Sequence, residues 1–172
     1  MPGLTVTVLL QDIKKLETEA LIVGFYEDVR PLKGLAGELD WLLCGSLSNL
    51  ILEKKLRGSL GDVALLTSQG KVPAQKIFMI GLGPRARFSL AAQRSAVGTA
   101  ASTAIDAGVR NAAIECFLSA DISYDDLVST FRDGMAERVG GRSLHLDLLA
   151  PDASSYEKIT RLATTEPYQK QQ

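Results

Sequence analysis

The chain alternates between short continuous apolar runs and longer segments in which apolar residues recur every three or four positions. The short runs predict strands, because four to seven consecutive apolar residues are typical of strands buried on both faces. Runs of this kind and other β-rich segments predict strands at 4–10, 20–24, 63–67, 77–80 and 112–118. A sixth strand is predicted at 144–148, where leucines alternate with His145 and Asp147, the pattern of a half-exposed strand. Helical spacing predicts helices at about 39–54 and 88–106, another that begins at Ser123, and a last one that begins near Pro151 or Ser154.

The predicted order is therefore β-β-α-β-β-α-β-α-β-α. We expect one domain over residues 1–164, followed by a polar tail at 165–172. Only the short turn at 69–73 separates the third and fourth strands, so these two strands should form a hairpin and the sheet should be mixed. The fold class is α/β, a three-layer α/β/α sandwich with about six strands.

Local signals support the helix ends. Ser123 and Asp126 form a predicted capping box, and Ser154 with Glu157 is another candidate. Gly108 stands where a helix C-terminal glycine belongs.

Composition narrows the class of protein. The 172 residues are 46% hydrophobic and 23% charged, which is a globular mixture, and the net charge of −1 argues against non-specific nucleic-acid binding. Cys44 and Cys116 lie far apart inside predicted elements, so we expect buried free thiols in a reducing compartment. No secretion signal is evident at the start of the sequence, and the expected location is the cytoplasm.

The segment Lys76–Pro84 is the main candidate for chemistry. It predicts a buried strand that ends at the turn Gly81-Leu82-Gly83, with a helix soon after. A tight structural turn is one interpretation. Backbone N–H groups at such a turn, helped by Arg85, also suit an anion or phosphate. A dinucleotide site is disfavoured, because that fingerprint belongs at the first strand of a βαβ unit.

Trp41 and the pair of His145 and Asp147 are further candidates for function. Trp41 lies off the centre of its helix's apolar stripe, so it is either a core-edge residue or an interface anchor. His145 and Asp147 share one face of a predicted strand, and we interpret them as a surface pair on an edge strand. The sequence shows no metal-ligand spacing, so we expect no metal and no cofactor.

The ordered series of motifs resembles the N-terminal domain of the leucyl aminopeptidase family, the two-metal cytosol aminopeptidases (peptidase family M17). The resemblance covers roughly residues 4–163. It rests on Ala20–Asp28, on Leu39-Asp40, on Gly58–Leu66, on Lys76–Gly83 and on the alanine-rich helix that contains Arg94. It implies a macro-domain-like fold. The family's "NTDAEGR" segment, its catalytic lysine and its metal-binding aspartates have no counterpart, so the resemblance assigns no catalytic residue here.

The resemblance implies a non-catalytic domain that serves assembly, regulation or partner binding, through self-association or with a peptidase-like partner. The chain would be a fragment, a stand-alone relative or a subunit of a catalytic protein. The alternative is a macro-like module for a nucleotide or another phosphorylated ligand of the ADP-ribose type, held by Gly24, Phe25, Gly81, Leu82, Gly83 and Arg85. A DNA-binding accessory role is a third possibility, and membrane association is not expected.

Overall fold

The computed structural model describes residues 3–164, which form six strands and five helices; the predicted polar tail at 165–172 lies outside the described residues. The strands are β1 (Leu4–Leu9), β2 (Ala20–Phe25), β3 (Val63–Thr67), β4 (Lys76–Gly81), β5 (Asn111–Glu115) and β6 (Leu144–Leu149). The helices are α1 (Gly34–Leu42), α2 (Ser46–Leu52), α3 (Leu90–Asp106), α4 (Tyr124–Val139) and α5 (Ala153–Thr164).

The strands form one mixed sheet in the order β1-β6-β5-β2-β4-β3. Five strands run parallel, and β3 pairs antiparallel with β4 at one edge. The predicted hairpin and the α/β sandwich are both confirmed. The carboxyl ends of β1, β6, β5, β2 and β4 therefore lie along one border of the sheet.

Helices cover both faces of this sheet. The face that carries Ile22, Phe78 and Ile114 packs against α3, α4 and α5. Alanines dominate the buried side of α3, and such small side chains let that helix approach the sheet closely. The opposite face, with Leu21 and Met79, packs against α1 and α2.

The N-terminal caps of α4 and α5 differ in how well the sequence predicted them. At α4 the predicted capping box is confirmed, because the Asp126 N–H donates to Ser123 Oγ at 3.1 Å. At α5 the prediction of Ser154 as the cap was wrong. The Ser155 N–H donates to Asp152 Oδ1 at 2.7 Å, and a carboxylate accepts this hydrogen bond more strongly than a hydroxyl does.

The prediction of a single helix at 39–54 was also wrong. The helical residues form α1 and α2, whose axes differ by 104°. The break falls at Cys44 and Gly45, which have left-handed φ angles of 54° and 80°. Asp40 holds the second helix in place, because its Oδ1 accepts a hydrogen bond from the Ser48 N–H at 3.0 Å.

The cysteine prediction holds for one thiol only. Cys116 is buried as expected, and burial raises the pKa of its thiol to about 12. Cys44 is exposed instead, because it lies at the break between α1 and α2.

Within residues 3–164, no single helix is long and apolar enough to cross a membrane, and α1 with α2 passes that test only as a bent pair.

Candidate functional site

The turn after β4 brings most of the predicted ligand-binding residues together. Leu82 N–H donates to the Phe25 carbonyl at 3.0 Å, which ties this turn to the end of β2. Gly81 N–H donates to the Asp62 carbonyl at 2.9 Å, and Gly83 N–H to the Gly58 carbonyl at 2.9 Å. The chain's own carbonyl groups thus occupy the three N–H groups that an anion would use.

Close packing explains the glycine at the end of β4. A Cβ added to Gly81 would lie well inside van der Waals contact with the Ser59 carbonyl oxygen, and Gly58 backbone atoms lie beside it. The opposing segment is backbone, so it cannot move aside as a flexible side chain could. The geometry of this turn therefore serves the packing of the loop at 58–62 against β4.

Gly24 is likewise tightly enclosed. A Cβ there would lie 2.8 Å from the Phe117 ring and 2.8 Å from a Leu82 methyl. Its N–H donates to Glu115 Oε2 at 2.9 Å, and the neighbouring Phe25 is buried.

Arg85 lies just outside this cluster, in a single 3-10 turn, and its side chain is exposed. Its backbone N–H donates to Asp28 Oδ1 at 3.0 Å, which links it to the loop after β2. The assignment of Gly24, Phe25, Gly81, Leu82, Gly83 and Arg85 to a ligand stays a prediction.

A cleft at the same border of the sheet, beside the ends of β1, β5 and β6, was missed from the sequence. It has a volume of about 630 Å³ and mixes apolar walls with three carboxylates, Asp12, Glu38 and Glu115. No lysine or arginine is among its lining residues. Such a cleft favours a neutral or cationic group over a phosphate.

Glu115 is the notable group in this cleft. It ends an otherwise apolar strand, and it is only partly exposed. Burial raises the pKa of its carboxyl to about 7, and the hydrogen bond from Gly24 opposes that rise. The signal in the sequence was this one acid inside the predicted strand 112–118. The prediction extended the strand to Leu118, whereas β5 ends at Glu115.

Trp41 projects from α1 with 80% of its surface exposed, although Ala36 and Leu39 on the same helix are buried. It borders a shallow concavity of about 770 Å³, here called the α1 surface, whose lining residues are Pro31, Leu32, Gly37, Asp40, Trp41, Leu42, Cys44, Gly45 and Lys71. The interpretation of Trp41 as an interface residue stays a prediction.

The prediction that His145 and Asp147 lie on an edge strand was wrong. β6 lies between β1 and β5, so His145 and Asp147 are on an interior strand. His145 Nε2 lies 3.0 Å from Asp147 Oδ1, and Thr7 on β1 hydrogen-bonds to both residues. Both side chains line an open pocket on this face of the sheet. Their polar character fits a position that is in contact with solvent.

Metal ligation finds no support among residues 3–164, because no group of three or more His, Cys, Asp or Glu side chains could hold an ion there.

Comparison with known proteins supplies the family. The sequence profile described as "Cytosol aminopeptidase family, N-terminal domain" matches residues 22–137. The probable cytosol aminopeptidase of Geotalea uraniireducens is 32% identical over 126 residues, which is 71% of this chain and 24% of the relative. That of a Cyanothece species is 37% identical over 86 residues, or 50% of this chain and 17% of the relative.

Solved structures agree on the fold. A tomato leucine aminopeptidase mutant superimposes with a TM-score of 0.65 at 20% identity, covering 94% of this chain and 35% of that one. A Trypanosoma brucei macrodomain in complex with ADP-ribose superimposes with a TM-score of 0.69 at 12% identity, covering 91% of this chain and 68% of that one.

The chain thus spans about a quarter of the length of the first of these relatives. Together, the ordered motifs, the macrodomain-like sheet and the profile match show that this chain belongs to the cytosol aminopeptidase family, through that family's N-terminal domain.

Proposed function

We propose that this chain is a non-catalytic module that binds a peptidase chain of its own family through the α1 surface. The observation that carries the proposal is Trp41, which is 80% exposed on a helix whose opposite side is fully packed. Tryptophan is enriched at binding hot spots, because it buries a large area in one anchored side chain.

The surroundings of Trp41 support this role. The α1 surface is concave and mainly apolar, and Asp40 and Lys71 provide polar groups at its border. An apolar centre with a polar rim is the common anatomy of protein interfaces. The α1 surface is formed by α1 together with the loop before it and the break after it, and Leu32, Leu39 and Leu43 anchor this region in the core.

The family match supports the choice of partner. The curated relatives are named cytosol aminopeptidases, and this chain aligns with a quarter or less of several of them. A peptidase chain of that family is therefore a partner with which such a module could be expected to associate. The family's name also supports a cytoplasmic location.

Co-purification from the native host tests the proposal. The tagged chain should capture a peptidase of this family, identified by mass spectrometry. Trp41→Ala should reduce the captured amount about tenfold or more, the loss typical of a hot-spot residue. Leu52→Ala is the matched control, because Leu52 is 79% exposed but does not line the α1 surface. Equal capture by all three proteins would contradict the proposal.

Peptidase activity is a separate question. We expect the purified chain to hydrolyse a leucine chromogenic substrate with manganese no faster than buffer does. Metal-dependent turnover by the chain when it is free of any captured peptidase would contradict the non-catalytic part of the proposal.

A second candidate is binding of a phosphorylated ligand. It is favoured by one observation, the likeness in fold to macrodomains in complex with ADP and ADP-ribose. The carboxylates of the cleft and the occupied N–H groups of the turn after β4 count against it. We expect ADP-ribose to leave the melting temperature unchanged, and a rise of several degrees would favour this second candidate.

A further inference from the structure

β3 is one of the two edge strands of the sheet, and its residues are the more exposed of the two. β3 pairs with β4 on one side, and it is the last strand in the sheet order. Its five residues, Val63–Thr67, contain no charge and no proline. Natural sheets usually protect an edge with lysine, proline or a bulge, so an unprotected neutral edge is a template on which another strand can pair.

The alternation of hydrogen-bonded positions along β3 shows which of its backbone groups point away from β4. The Asp62 carbonyl accepts a hydrogen bond from Gly81 N–H at 2.9 Å across the β3–β4 ladder. Hydrogen-bonded positions alternate along an antiparallel strand, so Ala64 and Leu66 also face β4. The N–H and C=O groups of Val63, Leu65 and Thr67 therefore point away from the sheet. Among residues 3–164, no backbone hydrogen bond to these outward groups is found.

The side chains of the same residues are apolar and open. Leu65 is 60% exposed and Val63 is 42% exposed, on the face of the sheet that carries α3. Leu60, which is 44% exposed, precedes them in the loop before β3. These side chains extend a strip of apolar surface directly beside the free backbone edge.

We propose that β3 pairs antiparallel with β3 of a second copy of this chain, about a two-fold axis at Leu65. This register faces Leu65 with Leu65 of the second copy, and Val63 with Thr67 of the second copy. All three outward residues then fall at hydrogen-bonded positions, which gives about six inter-chain bonds at two for each facing pair. The pairing would join the two sheets into one.

Self-complementarity favours a second copy over another partner. The strand is neutral, and the same three residues supply both sides of the pairing. The inference goes beyond the proposed function, because it names a second partner and a surface that is separate from the α1 surface.

A five-residue pairing is a small interface, so the association should be weak and dependent on concentration. Sedimentation velocity from about 5 µM to about 500 µM, the range of such weak interfaces, should show the wild-type chain moving from monomer to dimer. A wild-type chain that stays monomeric throughout, or that forms trimers, would overturn the inference.

Charge reversal at Leu65 tests the register. Leu65→Lys and Leu65→Glu should each remain monomeric, because like charges would face each other across the axis. An equimolar mixture of the two should recover the dimer. The side chain is largely exposed, so both variants should keep the wild-type melting temperature within a few degrees. Dimers of Leu65→Lys alone, or a mixture that stays monomeric, would overturn the pairing.

Amide hydrogen exchange gives a second measurement that does not depend on a variant. At high concentration the amides of Val63, Leu65 and Thr67 should become protected, whereas those of Trp41 and its neighbours should not change. Protection at the α1 surface alone would place the dimer there and overturn the inference.

Two controls separate this inference from the proposed function. Leu52→Lys, on an exposed site of α2, should dimerise like the wild type. Trp41→Ala should dimerise normally while it loses the captured peptidase, and Leu65→Lys should keep the peptidase while it loses the dimer. Loss of both properties in either variant would contradict the assignment of two separate surfaces.

Discussion

The turn after β4 and the cleft beside β5 lie at the same border of the sheet, yet they differ in what occupies them. At the turn, the loop at 58–62 fills the available space, and its carbonyl groups accept hydrogen bonds from the N–H groups of Gly81 and Gly83. At the cleft, Glu115 is only partly exposed and faces an open volume of about 630 Å³. Glycines at a strand end can therefore mark close packing, whereas one acid at the end of an apolar strand can mark an opening.

The strongest test of this difference is Gly81→Ala. The added methyl would meet the Ser59 carbonyl oxygen and cannot be accommodated without moving backbone. We expect a loss of about 3 kcal/mol or more in the free energy of unfolding, measured by urea denaturation. Gly141→Ala is the control, because no atom lies within 4 Å of its added Cβ. If Gly81→Ala were as stable as the control, the turn would not be filled as described.

Glu115→Gln tests the cleft through pH. The pKa of Glu115 is raised from 4.5 to about 7, so the folded protein holds a proton there that the unfolded chain releases. Its contribution to stability is full below pH 4.5 and is lost as the pH rises to about 7. Relative to Glu115→Gln, the wild type should lose about 3 kcal/mol of unfolding free energy between pH 4.5 and pH 8.

Urea denaturation of both proteins across this pH range isolates the carboxyl, because every other titrating group is shared. Two curves that stay parallel from pH 4.5 to pH 8 would contradict the description of Glu115 as a desolvated acid.

Gly34→Ala should have the smallest effect of the three. Gly34 borders the cleft with a left-handed φ of 57°, and an added Cβ would come no closer than 4.0 Å to Glu115 Oε1. The cost is then backbone strain alone, about 1 kcal/mol. Gly34→Asn should cost less, because asparagine tolerates this conformation better. A loss as large as that of Gly81→Ala would show that the cleft is not open at this point.

Much of the fold could be predicted from the sequence because each strand is either a short apolar run or a short alternating segment such as β6. Continuous runs such as Leu21–Val23 require cover on both faces, and helical spacing supplied the covering layers. The capping box at Ser123 was readable because both of its partners are close in sequence. The strand order could not be deduced in the same way, and β6 was placed at an edge although it lies between β1 and β5.

The misses share one physical cause, which is that contacts between distant residues determined the outcome. Apolar spacing continues through Leu39, Leu43 and Leu47, so it concealed the break at Cys44 and Gly45. The role of the glycine turn depended on carbonyl groups at Gly58 and Asp62, about 20 residues earlier. The open cleft beside Glu115 depended on where β1 ends and α1 begins in space, which no local pattern reveals.

The central claim, that the α1 surface binds a peptidase chain, is tested most directly by photo-crosslinking in the native host. A benzophenone amino acid at position 41 should crosslink to a cytosol aminopeptidase family chain, whereas the same group at position 52 should not. Crosslinking at position 52 with none at position 41, or no peptidase adduct at either position, would contradict the claim.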